Sequence, residues 1–159
     1  MSGYALGQGY SWGRSFQDIE KEAQPAAGAS FSMALPSKYT HRLVACVFTL
    51  TTDANAANRY VTVESVLGDT SLFCVGAAAV TIPASTSAQR YVGSITRGVA
   101  EWATGTDILF PLTPIFLEVG TTLKINVANI QVGDQLSKIR LGFDLFPTNP
   151  DYLPGESDS

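Results

Sequence analysis

The chain has 159 residues and a formal net charge of −4, with 45% hydrophobic and only 15% charged residues. That length suits one domain with a sizeable core rather than two, and the light charge suits either a subunit that covers much of its surface in an assembly or an ordinary extracellular β domain. Bases and acids balance between residues 28 and 146, so no basic patch stands out, which argues against nucleic acid as a direct partner.

Residues 1–14 are rich in Gly and Ser and carry Tyr4, Tyr10 and Trp12. Such a segment builds no core of its own. Two expectations stand side by side: a floppy terminus, or an extended arm whose aromatics order on a neighbouring subunit. Met1-Ser-Gly-Tyr-Ala-Leu-Gly lacks the basic region and apolar run of a signal peptide, and no apolar stretch is long enough for a membrane-spanning helix. From Ser15 to Ala23 a short helix is predicted, with Ser15 and Asp18 at its start and Phe16, Ile19 and Ala23 on one stripe. Pro25 ends it. Two turns do not persist alone in water, so this helix must pack on its own sandwich or on the next copy. Tyr4, Tyr10, Trp12, Phe16 and Ile19 are therefore the candidate partner-binding residues. The expected division is an arm with its helix over 1–27, a β domain over 28–147 and an acidic, flexible tail over 148–159, the last containing Asp151, Glu156 and Asp158.

Within the domain, Phe31–Leu35 reads as a first strand. Arg42–Thr52 is apolar on both sides from Leu43 to Val47, as a central strand should be. A turn over Asp53–Asn58 leads through Arg59 to Tyr60–Glu64, where Val61 and Val63 share one side. Gly68-Asp69 precedes a strand from Ser71 to Val75, and the small, polar stretch Gly76–Ala88 reads as turn-rich. Ser87–Ile95 re-enters the sheet, while Gly98–Asp107, with Trp102, reads as a loop or one helical turn. From Pro114 to Phe146 three strands are expected: Ile115, Leu117 and Val119 alternate in the first, Leu123, Ile125 and Val127 in the second, and Ile139, Leu141, Phe143 and Leu145 in the third. About eight strands without long helical segments between them predict an all-β fold, a two-sheet antiparallel sandwich of jelly-roll type. An immunoglobulin-like sandwich would place a Trp between Cys46 and Cys74, and neither Trp12 nor Trp102 lies there.

Little in the chain points to chemistry. His41 is the single histidine, at a strand start, and no Gly-x-Ser-x-Gly elbow accompanies it. Ligand spacing for zinc or calcium is absent, so no metal and no cofactor is expected. Asp53, Asp69 and Asp134 sit in turns, where Asp commonly bonds its own backbone. Cys46 and Cys74 read as buried free thiols, or as a disulfide if the compartment is oxidising. Tyr60, Tyr91 and Trp102 are the candidates for stacking on a sugar. The chain is expected not to be an enzyme.

Arg42-Leu-Val-Ala-Cys-Val-Phe-Thr-Leu-Thr-Thr-Asp-Ala-Asn-Ala-Ala-Asn-Arg-Tyr-Val-Thr-Val-Glu64, Val119-Gly-Thr-Thr-Leu-Lys-Ile-Asn-Val and Val132-Gly-Asp-Gln-Leu-Ser-Lys-Ile-Arg-Leu141 resemble stretches of virion structural proteins of tailed bacteriophages. The resemblance implies a jelly-roll capsid cement or decoration subunit, located in the virion and assembled in the host cytoplasm. Its implied partners are the major capsid protein, bound on the outside of the shell, and copies of itself, with neither membrane nor nucleic acid. It transfers no catalytic residue. A tail adaptor, collar or fibre-base protein is the alternative within the virion, and a carbohydrate-binding β-sandwich the alternative outside it.

Overall fold

Leu123, Ile125 and Val127 are buried while Thr122, Lys124 and Asn126 are only half-buried, so this segment separates a core face from an outer face as its period of two predicts. A computed structural model describes residues 13–18, 24–37, 39–86, 88–95, 102–104 and 107–147. Ten strands run through them: β1 (Gly13–Asp18), β2 (Phe31–Ala34), β3 (Tyr39–Thr51), β4 (Arg59–Leu67), β5 (Thr70–Ile82), β6 (Gln89–Ser94), β7 (Trp102–Thr104), β8 (Asp107–Pro111), β9 (Thr122–Ala128) and β10 (Gln135–Pro147). One sheet is ordered β1-β10-β3-β6-β8-β7 and the other β2-β9-β4-β5.

The antiparallel pairs β1–β10, β2–β9, β3–β6 and β4–β5 form one long ribbon, and the pairings of β3 with β10 and β4 with β9 roll it up. That connectivity is the expected jelly roll. Gly68, at φ 59°, occupies the left-handed position in the tight β4–β5 turn where the ribbon folds back. β8 and β7 extend the larger sheet beyond this plan, and β8 runs parallel to β6. The sandwich is thus not wholly antiparallel, because β7 and β8 pair antiparallel with each other and it is the second of them, β8, that lies beside β6.

The core between the sheets includes Phe31, Leu43, Phe48, Val63, Val75, Phe110, Ile125, Ile139 and Phe143. Tyr91 stacks on Phe48 with ring centroids 4.8 Å apart and planes at 11°, and Phe110 meets both rings edge-on. Gly93 makes room for Phe110: a Cβ there would lie 2.7 Å from the ring.

Four expectations need correction. The helix predicted from Ser15 is not formed over its first residues: 15–18 belong to β1, and 19–23 lie outside the described residues. A two-turn helix is marginal, whereas β10 offers a long row of unpaired backbone groups. β5 continues through the stretch expected to be turn-rich, as far as Ile82. Its small residues answer a close approach, since a Cβ on Gly76 would meet Leu112 at 2.8 Å. Ile115–Val119 is no strand: only Leu117 is bridged, to His41. Finally, Trp102–Thr104 is a strand rather than a loop or helical turn. Residues 24–27, expected in the arm, are tied to the sandwich where the Gln135 side chain donates to the Pro25 carbonyl at 2.8 Å. The tail over 148–159 lies outside the described residues.

Candidate interaction surface

The two ends of the sandwich differ in chemistry. At the end where β3 stops and β4 and β10 start, Arg59 is fully buried and spends every guanidinium N–H. It donates twice to the Asp134 carboxylate at 2.8 Å, once to Asp53 at 2.8 Å, and to the Asn55 and Ala57 carbonyls at 3.1 and 2.6 Å. Asp134, equally buried, also accepts from the Asp53 and Gln131 backbone N–H groups at 2.9 and 2.8 Å. Burial alone would raise its carboxyl pKa, but these donors outweigh it and hold the group below its ordinary value. The bond to Asp134, against the cost of burial, pushes Arg59 upward. This network fastens the 53–58 loop to the 131–134 turn, and Gly28 N–H adds a third segment by donating to the Asp134 carbonyl at 2.8 Å. It is a corner with no guanidinium donor left over.

The opposite end is apolar. There β4 ends and β5 begins, and Leu67 and Phe73 remain 50% and 45% exposed. The register Val66↔Thr122 places the 118–121 turn beside them, and in that stretch Phe116 and Val119 are 50% and 46% exposed. On the larger sheet the same end carries the start of β3 and the end of β10. Arg42 donates to Asp144 at 2.7 Å while its guanidinium lies 5.5 and 5.8 Å from the Phe116 and Phe146 rings. β1 starts here too, since Gly13 is the register partner of Leu145.

Of the five partner-binding candidates, Phe16 lies in β1 opposite Gly142, and Tyr4, Tyr10, Trp12 and Ile19 lie outside the described residues. Leu67, Phe73, Phe116 and Val119 were not anticipated. A signal existed for two of them: Leu67 and Phe73 keep the inward alternation past the last residue the opposite sheet can cover. The sugar-stacking trio is not assembled. Tyr91 is fully buried under Phe48 and Tyr60 is exposed on the smaller sheet, while Trp102 takes part through its backbone pairing with Leu109. His41 is buried rather than at the surface, edge-on to Phe143 at 5.4 Å, and burial lowers its pKa. Both cysteines are free; Cys46 is buried, but Cys74 is exposed rather than buried. Burial pushes both thiols upward. Among the described residues no three His, Cys, Asp or Glu side chains are grouped to hold a metal ion, and no helix is long and apolar enough to cross a membrane.

No family model matches this chain, and no curated protein does. Solved structures similar to it include dimeric latent PorU from Porphyromonas gingivalis, at 11% identity and a TM-score of 0.48 over 87% of this chain and 13% of that one. The infectious bursal disease virus VP2 subviral particle is similar at 10% identity and a TM-score of 0.36, over 87% of this chain and 34% of that one. The structure of the same virus's Gt strain gives 12% identity and a TM-score of 0.33, over 92% of this chain and 34% of that one. The chain therefore spans about a third or less of the length of these neighbours.

Proposed function

We propose that this chain is a non-enzymatic virion subunit of the capsid cement or decoration type, which binds the outside of the major capsid shell and stiffens it. The observation that carries this reading is the gathering of Leu67, Phe73, Phe116 and Val119 at the end of the sandwich where β1 begins. Exposed apolar side chains grouped on one surface mark an interaction site, and the aromatic residues Tyr4, Tyr10 and Trp12 immediately precede β1 in the chain. A roll whose apolar end is also where β1 begins, with aromatic residues just ahead of β1 in the sequence, suits a subunit that completes its burial on a shell. The sequence resemblance to phage virion proteins supplies the partner, a major capsid subunit.

The test is co-sedimentation with capsids lacking this protein. The wild-type chain should sediment with shells at a copy number near that of the shell subunit and raise their melting temperature. The double variant Leu67→Ser/Phe73→Ser should keep its own melting transition and lose the shells. Wild-type protein that never sediments with shells would overturn the proposal, and a copy number far below that of the shell subunit would move the site to the tail.

A further inference from the structure

The outer face of the larger sheet holds a cleft of about 610 Å³, lined by Val47, Thr49, Ala88, Arg90, Asp107, Lys138 and Arg140. Its size falls in the range of small-ligand sites, about 300–1,000 Å³. The sequence scatters its charges: Arg90 is on β6, Asp107 on β8, Lys138 and Arg140 on β10. Cross-strand register unites them, because Thr49, Arg90 and Asp107 are successive partners in one row across three strands, with Arg140 opposite Val47. Three cations and the Asp107 carboxylate thus line it. Arg90 and Asp107 form an exposed ion pair at 3.2 Å, and Asp18 is the register partner of Arg140. Lys138 has no ion-pair partner among the described residues.

Backbone strain converges on the same place. The ladder between β10 and β3 is interrupted between Ser137 and Arg140, and within that bulge Lys138 takes φ 51°. Ala88, on the opposite wall, takes φ 26°. Neither side chain can ease a left-handed backbone by bonding to it as Asn does. Two of the four non-glycine residues with positive φ among the described residues therefore line one cleft. Such conformations collect where they aim a functional side chain.

We propose that this cleft binds an oxyanion, a phosphate or sulfate group, with Lys138 as the principal contact and Arg140 and Arg90 flanking it. Val47 and Ala88 give the group's carrier an apolar wall, and the Thr49 hydroxyl offers a further donor. The group could be free or carried on a saccharide, and the two sources are separable. Isothermal titration at fixed ionic strength with inorganic pyrophosphate, and with a sulfated disaccharide, should give saturable binding. Lys138→Gln should weaken it at least about tenfold, as loss of a charge-assisted contact does. Tighter binding of the disaccharide would assign a saccharide-borne group, and equal or weaker binding a free ion. Lys138→Gly removes the strain with the charge, so it should lose binding while melting no lower than wild type. Absence of saturable binding by both probes would overturn the proposal, as would equal affinity in Lys138→Gln.

Discussion

Arg59 and Asp134, 75 residues apart in the chain, join by two 2.8 Å hydrogen bonds with neither side chain exposed. Removing Arg59 strands the Asp134 carboxylate where water cannot reach it, and removing Asp134 leaves the buried guanidinium with only the partly exposed Asp53. Asp134→Ala and Arg59→Ala should each cost about 3–5 kcal/mol, read as a fall in the urea midpoint. The double variant Arg59→Met/Asp134→Leu should cost far less than the sum of the two, because both charges leave together. Additive losses would show that the pair is not coupled.

Stability should also fall in two steps as pH is lowered. Burial depresses the pKa of His41, opposed in part by a hydrogen bond with the Tyr39 backbone. Below about 6.5 the unfolded chain therefore takes up a proton that folded His41 refuses, and stability declines with pH from there until the folded pKa is reached. Asp134 also has a depressed folded pKa. Its stabilisation is complete above the unfolded value of about 3.9 and is lost as pH falls through the lower folded value. Melting temperature followed from pH 8 to 3 checks both steps. His41→Gln should erase the first and leave the second.

Inside the core, the Tyr91 hydroxyl and the Ser65 hydroxyl are buried without a protein partner among the described residues. Tyr91→Phe keeps the stacked ring and removes only the oxygen. It should be neutral or stabilise by about 1–3 kcal/mol, and Ser65→Ala should behave alike. A fall in melting temperature for both would show that ordered water satisfies these groups.

Gly93 makes the opposite prediction. Its neighbour is the Phe110 ring, packed on its other sides by Phe48 and Tyr91. Gly93→Ala should destabilise by about 1–3 kcal/mol, as overpacked cores do, with near-ultraviolet circular dichroism reporting the disturbed aromatic cluster. An unchanged spectrum and midpoint would mean that the ring moves freely.

Period-two alternation made β9 and most of β10 legible, because one face of each strand is buried without exception from Leu123 to Val127 and from Ile139 to Phe143. The jelly roll followed from strand number and spacing. β5 was hidden because its inward positions hold the small residues Gly76 and Ala78, and at Gly76 the small size reflects crowding by Leu112 rather than a turn. Arg59 shares its parity with Val61 and Val63 and so had to point inward, yet a charge beside a turn reads as solvated unless its distant partner is known. The oxyanion cleft was invisible for the same reason: register, not sequence distance, brings Arg90 and Lys138 together. Residues 15–18 joined a strand instead of opening a helix because β10 supplies an open edge that the local sequence does not reveal.

That last strand also sets the order of events during synthesis. β10 is the partner of both β1 and β3 in the larger sheet, just as β9 joins β2 to β4 in the smaller one. A nascent chain that has not yet released β9 and β10 holds each sheet split, with one edge each of β1, β2, β3 and β4 newly unpaired. Pairing strands far apart in the sequence is slow, and exposed edges in such intermediates invite association with other chains. Translation of residues 122–147 is therefore the step at which this protein passes from an aggregation-prone ribbon to a closed roll, and stalling there should send it to chaperones.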